Sequence, residues 1–100
     1  MINIREKDKA TLITIAQKTL CTETKIWAYG SRVKNTNRDA SDLDIVLITP
    51  DNMKNDLMEF KDALQHSNIP IFIQVLEWTY IPQSFQENIL RQYEELYVVI

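Results

Sequence analysis

Two aspartates, Asp42 and Asp44, stand two residues apart in the apolar segment 42–48. If this segment is a β-strand, both carboxylates lie on one face, about 6.5 to 7 Å apart along the backbone. Two such groups can converge on divalent cations, and hard oxygen ligands with no His or Cys beside them favour Mg²⁺ over Zn²⁺. The alternative is a turn at Asp42 followed by a solvated strand residue at Asp44. Because aspartate is depleted in strands, the pair favours a metal site.

A second candidate feature is the dipeptide Gly30-Ser31, which follows a short apolar segment. Gly30 is the only glycine of the chain, and a residue without Cβ lets the backbone approach an anion closely. The amides that follow it, with the Ser31 hydroxyl, are suited to phosphate oxygens, and Arg32, Lys34 and Arg38 add positive charge. The alternative is a strand-ending turn with exposed cations. Gly-Ser followed at this spacing by Asp-x-Asp is expected by chance in about one chain per thousand, so the combination favours a polyphosphate site.

The elements that must position these residues follow from the hydrophobic periodicity. A polar segment with a helical turn of its own is expected at 30–41, and Pro50-Asp51 and Pro82 are predicted to open helices. The predicted helices are 8–22, 51–67 and one beginning near Pro82, and the predicted strands are 25–29, 42–48 and 71–78. The tail LYVVI is expected to add an edge strand or to dock on a partner. The fold class is therefore predicted to be α+β, a small mixed sheet of three to four strands with helices mainly on one face.

Composition limits the classes of protein that this sequence can be. One hundred residues without a Gly/Ser/Pro-rich linker predict a single domain, 1–100, and a net charge of −3 makes nucleic acid an unlikely main partner. The single cysteine, Cys21, forbids an internal disulfide and suits a reducing compartment. The N-terminus lacks the apolar core of a secretory signal, and the longest apolar run, 96–100, is too short for a membrane span. We therefore expect a cytoplasmic protein. The sequence leaves its oligomeric state open, and a homo-oligomer is one of the alternatives.

The stretch IWAYGSRVKNTNRDASDLDIVLI resembles the nucleotidyltransferase signature, in which Gly-Ser after one strand is followed by Asp-x-Asp on the next. The chain is most similar to the minimal nucleotidyltransferases, proteins of roughly this length in the DNA polymerase β superfamily. The resemblance continues through the later helices and the third strand, so it covers nearly the whole sequence and implies the nucleotidyltransferase fold.

What the resemblance implies can be carried over residue by residue. Asp42 and Asp44 match the catalytic carboxylates that bind Mg²⁺ in a two-metal site, while Gly30 and Ser31 match the pair that holds the nucleotide triphosphate. Arg32 matches a basic position near the phosphates, and Ser41 is included in the expected nucleotide site. The implied reaction transfers a nucleoside monophosphate, with ATP as the expected donor, to an acceptor hydroxyl. In related members the partner is a co-encoded HEPN-domain toxin, which the transferase silences by adding AMP to a tyrosine.

The sequence departs from the family pattern on the third strand, where the family has another carboxylate. Aligning IPIFIQVLEW puts Gln74 at that position, and glutamine offers a metal no charge and cannot act as a general base. Glu77 is the nearest carboxylate, but strand parity places it on the opposite face unless a bulge intervenes. The sequence therefore leaves open a slow enzyme, a nucleotide-binding protein without activity, or an antitoxin that acts by binding its partner. Transfer to RNA or to a small antibiotic is less favoured, because no second domain is present to hold such a substrate.

Overall fold

The computed structural model of the protein describes residues 2–38 and 41–100. Within these residues the chain forms four α-helices and four β-strands. A short 3₁₀ turn, Trp78–Tyr80, connects the third strand to the fourth helix. The helices are α1 (Glu6–Thr19), α2 (Ser31–Lys34), α3 (Leu57–Gln65) and α4 (Gln83–Arg91). The strands are β1 (Lys25–Tyr29), β2 (Leu43–Ile48), β3 (Ile73–Glu77) and β4 (Tyr93–Val98). None of the helices in this described part is long and apolar enough to cross a membrane.

The four strands form one sheet in the order β3-β2-β1-β4. Strand β1 is antiparallel to both β2 and β4, whereas β2 and β3 run parallel, so the sheet is mixed. The register places Tyr29 beside Asp44 and Asp44 beside Gln74. Residues from three neighbouring strands therefore meet at one end of the sheet, which confirms the predicted α+β class.

The main core lies between one face of the sheet and the helices α1 and α3. Its side chains come from the apolar stripes of the two helices and from alternate strand positions, as the period-2 and period-3.6 patterns require. Its most central members are Leu12, Ala16, Phe60, Leu64, Ile26, Ala28, Ile45, Leu47 and Val75. The alternation leaves Asp44 and Gln74 on the other face of the sheet, away from this core.

The opposite face is partly covered by aromatic side chains and by α4. Trp27 stacks on Tyr93 of β4, with ring centroids 4.3 Å apart, and meets the edge of Trp78 at 5.6 Å. The ring of Tyr29 contacts Phe85 of α4 edge to face at 5.8 Å. Helix α4 therefore lies beside the C-terminal end of β1, while α1 and α3 share the other face.

Several element boundaries differ from those predicted, and α3 differs most. Pro50 and Asp51 do not open a helix; they belong to a turn, in which the N–H of Met53 donates to the carbonyl of Pro50. The helix begins at Leu57 because the carboxylate of Asp56 accepts from the N–H of Glu59, which satisfies one of the free donors of the first turn. The other helices and β2 and β3 end within about three residues of the predicted limits, and the tail forms the edge strand β4, one of the two predicted outcomes.

Candidate functional site

Gly30 ends β1 and caps the N-terminus of α2. Its backbone has φ 81° and ψ −156°, and its carbonyl accepts from the N–H groups of Val33 and Lys34, each at 3.1 Å. A Cβ placed on Gly30 would lie 2.5 Å from Oδ2 of Asp44, well inside van der Waals contact. The glycine is therefore required twice, for its positive φ and for the close approach of the β1 backbone to the carboxylate on β2.

The two aspartates lie at the start of β2. Asp42 is exposed just before the strand, and Asp44 is half-buried within it. Burial raises the pKa of Asp44, and the negative charge of Asp42 raises it further. Asp42 is thus close enough to oppose the ionisation of Asp44, which is the electrostatic condition that a bound cation would relieve.

Gln74 is exposed on the same face of the sheet, directly beside Asp44 in the parallel pairing. Glu77 lies on the core face, as parity predicts: its side chain is 9% exposed, and its Oε1 accepts from the hydroxyl of Thr49. Its Oε2 is buried without a hydrogen-bond partner in the described part of the chain. The same part contains no group of three or more His, Cys, Asp or Glu side chains arranged to hold a metal. Glu77 therefore does not supply the third carboxylate, and the candidate metal site has two.

A cavity of about 380 Å³ opens next to Gly30, between the end of β1, α2 and α4. Its walls combine aromatic rings with cationic and amide side chains. The lining residues are Tyr29, Gly30, Lys34, Phe85, Asn88, Ile89, Arg91 and Gln92. Burial and the charge of Asp44 raise the pKa of Tyr29 to about 12, so its hydroxyl stays protonated at neutral pH. The cavity thus presents hydrogen-bond donors and positive charge beside the carboxylates.

The remaining predicted site residues surround the same loop. Ser31 is the first residue of α2, and its carbonyl accepts from the N–H of Thr36 at 3.0 Å. Arg32 is buried, with its guanidinium directed at backbone carbonyls, among them that of Ser41 at 2.9 Å. Ser41 in turn accepts the N–H of Arg38 on its hydroxyl at 2.8 Å. The nucleotide contacts predicted for Gly30, Ser31, Arg32 and Ser41 stay predictions.

Sequence reasoning missed the contribution of α4 to the cavity. The apolar spacing of Phe85 and Ile89 indicates an amphipathic helix, but it does not indicate that Asn88 and Arg91 lie close to Gly30. That placement depends on β4 pairing with β1, a contact between distant parts of the sequence. The one available signal was the positive charge of Arg91 at the end of a helix that precedes an edge strand.

Comparisons with known proteins match most of the chain. The family model described as "Polymerase beta, Nucleotidyltransferase" matches residues 11–98. A Haemophilus influenzae protein named "Probable protein adenylyltransferase MntA" is 32% identical over 102 residues, covering 99% of this chain and 83% of the relative. A solved structure described as a toxin-antitoxin with AMP-PNP superposes with a TM-score of 0.73 and 17% identity, covering 91% of this chain and 73% of the other. That structural likeness shows a shared fold.

Proposed function

Because the chain belongs to the polymerase beta nucleotidyltransferase family, we propose that it binds Mg-ATP and transfers AMP to a hydroxyl group of a partner protein. The observation that carries the proposal is the approach of the Gly30 backbone to Asp44, so close that a Cβ would reach 2.5 Å from Oδ2. This arrangement brings the Gly30-Ser31 backbone, which we propose to contact the triphosphate, directly beside a carboxylate that we propose to bind metal. The H. influenzae relative is named as a protein adenylyltransferase, which supports adenylyl transfer to a protein.

Asp42 and Asp44 would hold the metal, with Gln74 adding a neutral amide oxygen from the adjacent strand. The fit is favourable because carboxylate and amide oxygens are the hard ligands that Mg²⁺ accepts, and because a cation would relieve the repulsion that helps to raise the pKa of Asp44. When bound, the metal supplies positive charge to the phosphates and to the leaving pyrophosphate. With Gln74 the ligand set carries two negative charges instead of three, so we expect weak metal binding.

The nucleotide would lie between the carboxylates and the cavity beside Gly30. The Gly30-Ser31 backbone and the Ser31 hydroxyl would contact phosphate oxygens, and Lys34 and Arg91 at the cavity wall would balance their charge. The protonated hydroxyl of Tyr29 is available there as a hydrogen-bond donor. These groups orient the donor nucleotide so that its α-phosphate faces the acceptor.

The reaction forms a bond between the acceptor oxygen and the α-phosphorus and breaks the bond from that phosphorus to the oxygen that bridges the β-phosphate. Pyrophosphate leaves with that oxygen, and the acceptor hydroxyl loses its proton. Gln74 has no basic group to accept this proton, so we propose that it passes to solvent water. Chemistry without this general base is expected to be slow.

We propose a HEPN-domain toxin as the partner, with AMP transferred to one of its tyrosine hydroxyls. The structural neighbour is a toxin-antitoxin assembly, which supports a partner protein of this kind. Gln74 favours a second candidate function, in which the chain neutralises the toxin by binding alone. Both candidates share the fold and the partner but differ in whether the carboxylates are needed.

The experiment incubates the protein, the co-encoded partner and Mg²⁺ with ATP labelled on the α-phosphate. Transfer of label to the partner is expected, and the double variant Asp42→Asn/Asp44→Asn is expected to lose both transfer and neutralisation of the toxin. Full neutralisation by the double variant, with no label transferred by the wild type, would refute the enzymatic proposal in favour of binding alone. Lys18→Gln, which removes an exposed charge on α1, is the control for a general effect of charge.

A further inference from the structure

The guanidinium of Arg32 joins three separate segments of the chain. Only 6% of this residue is exposed. Nη1 donates to the carbonyl of Asn3 at 2.8 Å, while Nε and Nη2 both donate to the carbonyl of Ser41, at 3.1 and 2.9 Å. The N–H of Asn3 returns a bond to the carbonyl of Arg32 at 2.9 Å. Backbone acceptors thus replace much of the hydration that this buried cation has lost.

We infer that Arg32 is a positioning residue, which fixes Asp42 relative to Gly30 through the carbonyl of Ser41 and does not act as a phosphate ligand. This inference rests on the proposed function for the role of Asp42 in binding metal. Ser41 is bonded covalently to Asp42, and two N–H groups that converge on one carbonyl fix both its place and its orientation. Arg32 itself stands two residues after Gly30. Its bonds to the Ser41 carbonyl therefore connect the Gly30-Ser31 loop to the residue that precedes Asp42.

Ser41 also bonds directly to Arg38, whose carbonyl itself accepts from Nη2 of Arg32 at 3.5 Å. The N–H of Ser41 donates to the carbonyl of Arg38 at 2.9 Å, and the Ser41 hydroxyl accepts the N–H of Arg38 at 2.8 Å. These reciprocal bonds tie Ser41 to the segment that follows α2. Arg32 therefore contacts two residues, Arg38 and Ser41, that are already bonded to each other, so its bonds restrict both of them together.

A buried carboxylate helps to stabilise the guanidinium where it lies. Asp8 of α1 is 4% exposed and forms a two-bonded pair with Arg5, at 2.8 and 3.1 Å. The hydrogen bonds from Arg5 lower the pKa of Asp8 most, and the charge of Arg32 contributes to the same lowering. The N-terminal segment and α1 thus supply both the carbonyl of Asn3 and a compensating negative charge.

Lysine cannot reproduce these contacts, because its single ammonium group lacks the planar fork that reaches two carbonyls at once. The test therefore uses Arg32→Lys, which keeps the charge, with Lys18→Gln as the control. Hydrogen exchange is measured first, without nucleotide or metal. We expect the amides of Asn3 and Ser41 to exchange about tenfold faster in Arg32→Lys and unchanged in the control.

Nucleotide affinity is measured next, with ATP in Mg²⁺ and with ATP in EDTA. A positioning role predicts that Arg32→Lys weakens binding about tenfold in Mg²⁺ and leaves binding in EDTA unchanged, since only the metal-dependent part uses Asp42. Equal losses in both conditions would show a direct phosphate contact and overturn the inference. Wild-type exchange together with wild-type affinity would also overturn it.

A second variant covers the case in which Arg32→Lys does not fold. Ser41→Ala leaves the buried guanidinium in place and removes only the hydroxyl that accepts from Arg38. Because both bonds from Arg32 to the Ser41 carbonyl remain, the Ser41 amide is expected to exchange as it does in the wild type. Exchange about tenfold faster would show that the hydroxyl, and not Arg32, holds Ser41 in place, and would overturn the inference. If the wild type binds no ATP, the proposed function fails, but the exchange measurements still decide whether Arg32 restrains Ser41.

Discussion

Replacing Gly30 by alanine tests the geometry on which the candidate site depends. The position has φ 81° and ψ −156°, a conformation open essentially to glycine alone, so alanine would be strained by about 1 to 3 kcal/mol. The new Cβ would also lie 2.5 Å from Oδ2 of Asp44, whereas ordinary contact begins at 3.4 Å. The carboxylate must therefore retreat by 3.4 − 2.5 = 0.9 Å, or the β1 backbone must move by a comparable distance.

These two effects have different consequences. A loss of about 1 to 3 kcal/mol is less than the 5 to 15 kcal/mol by which typical domains are stable, so Gly30→Ala is expected to fold. Metal ligands, in contrast, are held within about 0.2 Å of their ideal distances, so a shift of Asp44 near 0.9 Å removes it as a ligand. We therefore expect Mg-ATP affinity to fall by more than about tenfold, and Gly30→Val, with its branched side chain, to abolish binding.

The assay pairs urea unfolding with calorimetric titration of Mg-ATP. Asn35→Ala is the matched control, because Asn35 also has a positive φ, 60°, but lies at the C-terminal end of α2 and does not line the cavity beside Gly30. The control is expected to lose roughly 1 kcal/mol of stability from backbone strain and to keep its nucleotide affinity. If Gly30→Ala bound Mg-ATP as tightly as the wild type does, the proposal that the Gly30-Ser31 backbone contacts the phosphates would be wrong, even though both aspartates are intact.

Three further substitutions test separate parts of the site and its support. Gln74→Asp is expected to strengthen Mg²⁺ binding and to raise the transfer rate by about 100-fold, as a general base typically does, and an unchanged rate in labelled-ATP assays would refute this. Asp44→Asn is expected to raise the melting temperature of the metal-free protein at pH 7. Because the pKa of Asp44 is raised on folding, the ionised carboxylate destabilises the native state at pH 7, and asparagine removes that cost. The gain in melting temperature of Asp44→Asn over the wild type should therefore shrink as the pH falls towards 3.8, the ordinary pKa of aspartate. Thermal melts in EDTA at several pH values measure this difference. Thr49→Val removes the hydroxyl that donates to buried Glu77 and is expected to cost about 1 to 3 kcal/mol in urea unfolding, and a smaller loss would show that the contact is dispensable.

The sequence predicts those parts of the fold that depend on local periodicity. Alternation along β2 and β3 correctly places Asp44 and Gln74 on one face and Glu77 on the other, because side-chain parity holds wherever a strand is regular. The predicted start of α3 is six residues too early, because Asp56 caps the helix and the Asn55 side chain just before it bonds to Cys21 and Thr24. The bonds of Asn55 to Cys21 and Thr24 join residues that are 34 and 31 positions apart, and periodicity carries no information about such contacts.

The cavity beside Gly30 could not be predicted for a related reason. Its walls come from α2 and α4, which are separated by two strands and by α3 in the sequence. Only the sheet order, with β4 beside β1, brings Arg91 to Gly30. The spacing of Gly-Ser and Asp-x-Asp therefore indicates the chemistry of the candidate site, while the cavity wall beside Gly30 depends on tertiary structure.

Strand β3 also limits how the missing third carboxylate can be restored. A one-residue slip of β3 would turn Glu77 towards the face of Asp44, but the same slip would expose Ile73 and Val75, both now buried in the core. Glu77 would also lose its bond from Thr49, whose hydroxyl is held in turn by Asn55. Burial of Ile73 and Val75 is worth roughly 3 to 6 kcal/mol. Phe72 and Leu76 would recover part of this after the slip, but the amide of Gln74 would be buried between them, so the slip is disfavoured. The candidate metal site therefore keeps two carboxylates, and Gln74→Asp would add a third on the same face, directly beside Asp44.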